Sequence, residues 1–311
     1  MEDLESGSTD ILVGTHAIIQ PDVKFKSLGL VITDEQHRFG VNQRSLLAEK
    51  GSDPNVLVMT ATPIPRTLAV ILYGDLDISV IDTMPKGRRP IRTFLRSGES
   101  REDIYNFVRQ QVREGRQAYV VAPLIEESEN IDCRSAEEIY KELESAYPDM
   151  KIGLVHGAMK QEEKDSAMED FAAGEIDILV STVVIEVGID VANANVMVIE
   201  NCERFGLAQL HQLRGRVGRG KHQSYCILVS GRESKVADKR NQIMCATEDG
   251  FVIAEEDLKL RGPGEMFGTR QHGLPELNIS DLVRHGDILA SARQAADDIL
   301  CLLYTSPSPR D

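Results

Sequence analysis

At 311 residues, with 41% hydrophobic and 27% charged side chains, the chain has material for two domains of ordinary size, and no apolar run approaches the roughly 18–20 residues that a membrane-spanning helix needs. Lys and Arg number 35 against 50 Asp and Glu, a formal charge of −15, which excludes a generally polyanion-attracting surface and confines nucleic-acid contact to local clusters such as Lys86, Arg88, Arg89, Arg92 and Arg96. Five cysteines without a C-x-x-C pair exclude a disulfide framework and a zinc site, and the acidic terminus MEDLESGSTD lacks the parts of a secretory signal, which points to the cytosol.

In chain order, β-rich runs end in polar loops: DILVGTH, LGLVITDE and NVLVMTATP, then QAYVVAP, KIGLVHG, EIDILVST, NVMVIEN and SYCILVS. Short apolar runs of this kind, separated by helical patterns, predict an α/β fold of parallel sheets covered by helices on both faces. MPKGRRPIR, without apolar periodicity, predicts a linker over 84–92 between a first unit, 1–83, and a second, 93–231. In SREDIYNFVRQQVREG, Ser100 and Asp103 predict a capping box, Ile104, Phe107, Val108 and Val112 a buried stripe, and Gly115 a stop. SAEEIYKELESAYP repeats the pattern with Ser135, Glu138 and Pro148. Beyond Ser230 a charged helical region leads into EDLKLRGPGEMFGTRQHG, too glycine-rich for a helix, so a third element of helical hairpin and loop is expected over 232–300. The last stretch, CLLYTSPSPRD (301–311), is expected to abandon the helical pattern and looks like the translation of a transposase adapter from sequencing libraries.

Ligands of open α/β sheets bind where strands end, and the polar loops fall there. Asp34 and Glu35 directly follow a buried run, with Gln36, His37 and Arg38 next. One acid holding Mg²⁺ beside another that positions a water is what nucleoside-triphosphate hydrolysis requires, although a solvated acidic turn has the same composition. TATPIPRT (Thr60–Thr67) again follows a buried run; its hydroxyls, Thr60 and Thr62 about Ala61, sit on a loop stiffened by Pro63 and Pro65, or simply end a strand. QLRGRVGR (Gln212–Arg219) puts Arg216 and Arg219 three apart, on one face if helical, with Gly215 and Gly218 permitting close approach. Guanidinium forks match phosphate oxygens, so one of the two is a candidate arginine finger; a surface nucleic-acid contact is the other reading. Between these, Gly188 and Asp190 interrupt STVVIEVGIDV as if to touch a ribose or a second loop.

D-E-x-H, T-A-T, G-I-D and Q-x-x-G-R-x-G-R in this order resemble the motif series of superfamily 2 helicases, from about Asp10 to Ser230. That resemblance implies two RecA-like domains, the first only in part here, sandwiching ATP and Mg²⁺. Asp34 would hold the metal, Glu35 activate water, Gln36 and His37 sense or relay the γ-phosphate, and Arg216 or Arg219 reach it from the second domain. Gly188, Asp190 and Gln212 would border the nucleotide. Gly14, Thr15 and His16, and His156 with Gly157, look like the nucleic-acid contact motifs of the two domains. DEQHRFGV, TATPIPRT and IAEEDLKLRGPGEMFGTRQHG resemble the fork-remodelling DNA helicases of the superfamily; its transcription-repair coupling translocases share TATPIPRT and the hairpin, but LRGPGE followed by GTRQ is more similar to the fork remodellers, and the departure is His272, where a serine is expected. On that resemblance Thr60, Ala61, Thr62, Arg261, Gly262, Gly264, Gln271 and Gly273 couple hydrolysis to translocation. The implied partners are forked duplex DNA and a single-strand DNA-binding protein, with no membrane, for a monomer of the bacterial cytoplasm. No G-x-x-x-x-G-K-[ST] occurs, so the chain is expected to be a carboxyl-terminal piece that does not hydrolyse ATP alone. An ATP-independent DNA-binding or docking module and an RNA helicase are the competing readings.

Overall fold

The computed structural model describes residues 2–34, 46–47, 50–61, 63, 77–85, 87–123, 135–182, 191–231, 235–261 and 286–305. Two compact units divide between Pro63 and Ile64, so residues 77–91, in the expected first unit and linker, belong with the second.

In the first unit, α1 (Glu2–Ser6) and a 3-10 turn (His16–Ile19) precede two parallel strands, β1 (Leu30–Thr33) and β2 (Asn55–Val58). Leu30 stands opposite Asn55 and Thr33 opposite Val58. The expected strand in DILVGTH does not form: residues 11–14 are irregular, and Ile11 and Val13 are 80% and 88% exposed. An apolar run becomes a strand only when a neighbouring backbone takes up its hydrogen bonds, and no described strand lies beside this one.

The second unit is built on six strands in the order β3 (Arg92–Ser97), β8 (Tyr225–Ser230), β7 (Ala194–Glu200), β4 (Gln117–Val121), β6 (Ile178–Ser181) and β5 (Ile152–Val155). Every neighbouring pair is parallel, so all strands start at one edge of the sheet and end at the other. The helices are α2 (Arg101–Arg113), α3 (Ala136–Ala146), α4 (Gln161–Ala173), α5 (Leu207–Arg214), α6 (Lys235–Ala246), α7 (Gly250–Arg261) and α8 (Gly286–Thr305). Successive strand residues point to opposite faces, and each set has its own core. Ala118, Val120, Val196 and Val198 pack with Ile104 and Val108 of α2 and Ile139 and Leu143 of α3. Tyr119, Val121, Met197 and Ile199 pack with Phe171 of α4, Leu210 and Leu213 of α5, Met244 of α6 and Ile253 of α7. Cys202 and Cys226 are buried in the second of these cores. The expected α/β sheet with helices on both faces is thus present.

Strand β3 is not among the expected strands: it begins at Arg92, the last residue of the expected linker, and runs along the sheet edge with Arg92 and Arg96 on either side of Phe94. The first turn of α2 is fastened to the end of β7 by a buried carboxylate. Glu200 accepts from Arg101 Nε at 2.9 Å and from the Tyr105 hydroxyl at 2.8 Å, and pairs with Arg101 Nη2 at 2.9 Å. Gly115, in the left-handed region at φ 80°, terminates α2 as expected. Thr247–Asp249 join α6 to α7 in the expected helical hairpin. Helix α8 continues through Cys301 to Thr305, past the expected break, because no helix-breaking residue intervenes before Pro307.

The two expected caps part company. Ser135 Oγ accepts the Glu138 N–H at 3.1 Å while Glu138 Oε2 accepts the Ser135 N–H at 2.8 Å, a complete capping box. Ser100 makes no side-chain cap bond, because it ends a 3-10 turn (Gly98–Ser100) that runs into α2 with ψ near 9° rather than extended. Ser135→Ala should therefore destabilise the second unit by about 1 kcal/mol and Ser100→Ala by no more than about 0.3 kcal/mol, read from the midpoints of urea unfolding.

Candidate functional site

In the first unit the register of β1 and β2 brings two sequence-distant motifs to one edge. Asp34 directly follows β1 and is exposed, and the Met59 N–H just beyond β2 donates to the Thr33 carbonyl at 2.8 Å. Asp34 and Thr60–Ala61 therefore leave adjacent strands, about 4.8 Å apart, at the same end. Glu35, Gln36, His37 and Thr62 lie outside the described residues. Gly14 and Thr15 lead into the 3-10 turn rather than out of a strand, and a Cβ on Gly14 would stand 2.9 Å from Cγ1 of Ile18. The side chain of His16 is not among those described.

In the second unit three strand ends meet at the edge where strands finish. The Ala122 N–H donates to the Ser181 carbonyl at 2.8 Å and the Thr182 N–H to the Val155 carbonyl at 3.2 Å, joining the ends of β4, β6 and β5. His156 follows β5, half-buried, with Nε2 3.8 Å from Glu137 Oε1, and the Gly157 carbonyl accepts from Lys164 Nζ at 2.9 Å. Beside them the hydroxyls of Ser181 and Thr182 are buried and make no hydrogen bond among the described residues. Such a hydroxyl costs roughly 1–3 kcal/mol unless something else, a phosphate oxygen included, accepts from it. The expected residues of this segment, Gly188 and Asp190, lie outside the described residues; the signal for Ser181 and Thr182 is a hydroxyl pair directly after the apolar run Ile178–Val180.

The arginine motif lies at the opposite edge. Helix α5 carries the chain back from the end of β7, and the turn beyond it lies against residues that precede strands. A Cβ on Gly218 would stand 2.9 Å from Ile91 Cγ1, just before β3, and one on Gly220 would collide with the Ala192 carbonyl, just before β7. The turn is thus about 20 Å, the length of β8, from the edge carrying His156. Arg216 and Arg219 do not share a helical face: α5 ends at Arg214, the Arg216 N–H closes a turn on the Leu213 carbonyl at 3.0 Å, and Gly218 is left-handed at φ 82°. Arg216 is half-buried, Arg219 is exposed with Nε donating to the Gly215 carbonyl at 3.3 Å, and Gln212 is half-buried on the last turns of α5.

The first arginine of the motif behaves differently. Arg214 is 2% exposed, and its Nη1 donates to the carbonyls of Met244 (2.7 Å) and Thr247 (2.9 Å), at the carboxyl end of α6, where the helix dipole favours a cation. Its Nη2 lies 3.2 Å from His211 Nδ1; a guanidinium only donates, so this nitrogen is the acceptor and the imidazole is neutral. Burial first, and the adjacent Arg214 charge second, hold His211 down at about 4, with Asp249 pulling weakly the other way. Arg261 closes α7, while Gly262, Gly264, Gln271 and Gly273 lie outside the described residues. Among the described residues no three His, Cys, Asp or Glu side chains gather to hold a metal, so Asp34 stands as a single metal-binding candidate.

A six-stranded parallel sheet with an arginine turn before its last strand, following a unit with an acid and a threonine loop on neighbouring strand ends, is a RecA-like helicase architecture. Family models agree: DEAD/DEAH box helicase matches residues 1–71, the helicase conserved C-terminal domain residues 99–221, and the C-terminal part of domain 3 of the ATP-dependent DNA helicase RecG residues 247–309. The chain belongs to the RecG family of superfamily 2 helicases. It is 56% identical to the ATP-dependent DNA helicase RecG of Thermotoga maritima over 95% of its own length and 54% identical to that of Synechocystis over 96%. A solved structure of RecG bound to a three-way DNA junction superposes on 93% of the chain with a TM-score of 0.71 at 53% identity. The chain spans 38%, 36% and 37% of the lengths of these three relatives.

Arg214→Ala would leave the buried Met244 carbonyl and the half-buried Thr247 carbonyl without this donor and should lower unfolding free energy by about 2–4 kcal/mol, whereas Arg219→Ala should change it by less than about 0.5 kcal/mol in the same urea titration. His211, neutral when folded, lets the unfolded chain bind a proton at about pH 6.5 that the folded chain refuses until about pH 4. Its contribution is complete above the higher value and is lost as pH falls toward the lower one. His211→Gln should flatten the dependence of stability on pH in that window.

Proposed function

We propose that this chain is the carboxyl-terminal motor region of an ATP-dependent DNA helicase that remodels branched duplex DNA, working as a monomer in the bacterial cytoplasm with ATP and Mg²⁺. The register that delivers Asp34 and Thr60 to neighbouring positions at one strand edge carries this reading, because an acid beside a threonine loop links a metal site to a surface that can respond to it. The residues fit one end of the nucleotide only. Asp34 is an exposed carboxylate at a strand end and Arg216 and Arg219 supply guanidinium forks, but the sequence holds no G-x-x-x-x-G-K-[ST] run to cradle the remaining phosphates.

Asp34 would hold magnesium, which when bound would offset the charge of the phosphates. Glu35 orients the attacking water and takes its proton, and Gln36 and His37 pass the loss of the γ-phosphate toward Thr60–Thr62. Arg216 or Arg219 donates to the phosphoryl oxygens as charge builds there. Gly188, Asp190 and Gln212 border the nucleotide. Gly14, Thr15, His16, His156 and Gly157 contact DNA phosphates without reading bases, joined by the buried hydroxyls of Ser181 and Thr182. Residues Arg261 to Gly273 couple hydrolysis to movement along the duplex, and a single-strand DNA-binding protein is a fitting partner at forks. The junction-bound relative supports a branched substrate, and the match to RecG domain 3 favours DNA over RNA.

Joining the chain to the amino-terminal region of the Thermotoga maritima relative should give an ATPase stimulated more by forked DNA than by linear duplex or RNA. In that protein Glu35→Gln should cut turnover at least about a thousandfold while leaving nucleotide affinity within about threefold. Stimulation by RNA alone, or undiminished turnover in the variant, would reject the assignment.

A further inference from the structure

The residues entering β3 are attached to the arginine turn along the whole of its length. The Pro90 carbonyl accepts from Gln223 Nε2 at 2.7 Å, and the Arg92 N–H donates to the Ser224 carbonyl at 3.0 Å. Thr93 Oγ1 lies 3.5 Å from Arg214 Nη1. Between these, Ile91 packs into the core that holds Val217, and its Cγ1 and Cδ1 stand 2.9 and 3.0 Å from where a Cβ on Gly218 would be. The turn from Arg214 to Ser224 is therefore held at both ends and in the middle by four consecutive residues, and its left-handed pivot, Gly218, rests on one side chain.

We infer that Ile91 is a positioning residue for Arg216 and Arg219: it seats the turn at Gly218 and thereby fixes where the two guanidiniums are presented. The contact stands independently of the chemistry; what the guanidiniums do there rests on the function proposed above. Apolar packing against a glycine fixes the backbone without placing another polar group beside the arginines.

Amide hydrogen exchange on the 311-residue chain tests the contact without ATP. The Arg216 and Val217 amides are bonded to the carbonyls of Leu213 and Arg214, so they report the turn. Ile91→Ala should speed their exchange by about tenfold while the amides of β4 and β7 hold their rates, and Ile91→Val should stay within about twofold of the parent. Gly218→Ala should loosen the turn by itself and do so less when combined with Ile91→Ala, because the second change removes the atoms its Cβ would strike. In the joined protein, Ile91→Ala should lower kcat for ATP about tenfold at unchanged KM, with Ile91→Val restoring it. Unchanged turn exchange in Ile91→Ala, or additive effects of the two substitutions, would overturn the inference. If the joined protein fails to turn over ATP at all, the functional reading fails and the exchange result alone decides this one.

Discussion

A parallel sheet buried on both faces leaves only its two edges for chemistry, and that constraint organises the second unit. Alternate residues of β4 and β7 supply two separate cores, so a slip of one residue in register would exchange the two packing sets. With both faces committed, polar side chains gather where strands end or start: the hydroxyls of Ser181 and Thr182 and the ring of His156 lie at the strand ends, Arg216 and Arg219 at the strand starts. Helix α5, apolar at Leu207, Leu210 and Leu213, carries the chain between them.

The buried charges show how such a unit stays fixed while its edges remain polar. Glu200 is fully buried yet takes three donors' worth of compensation from Arg101 and Tyr105, which fastens α2 to the end of β7. Arg214 is buried against the carboxyl end of α6 instead of a carboxylate, so its partner is the dipole and two peptide carbonyls. Removing one member of either arrangement leaves the other stranded in a low-dielectric interior, a larger penalty than the net worth of the interaction itself.

How much could be read beforehand depended on whether neighbours mattered. The strands with unbroken apolar runs, β4, β6, β7 and β8, declare themselves because burial on both faces demands such composition. Strand β3 does not, since an edge position tolerates Arg92 and Arg96 beside Phe94, and DILVGTH misleads because its composition is that of a strand without a partner. Ser100 and Ser135 stand in the same local pattern, and only the preceding 3-10 turn separates an idle hydroxyl from a working cap. Asp34 and Thr60 were legible from their place after apolar runs. The three arginines of QLRGRVGR are chemically alike in sequence, and the distinction between a buried clamp and its outward neighbours is made by α6, folded back from later in the chain.

Cys202 and Cys226 sit in the core shared by β7, β8 and the helices α4–α7, and burial raises both thiols, that of Cys226 to about 12. Neither forms appreciable thiolate near neutrality, so both are shielded from alkylating reagents for as long as that layer stays shut. The pair is an internal clock on the opening of one side of the sheet: the rate at which a maleimide finds them measures breathing of the layer that backs the arginine turn, with no dye or foreign residue introduced there.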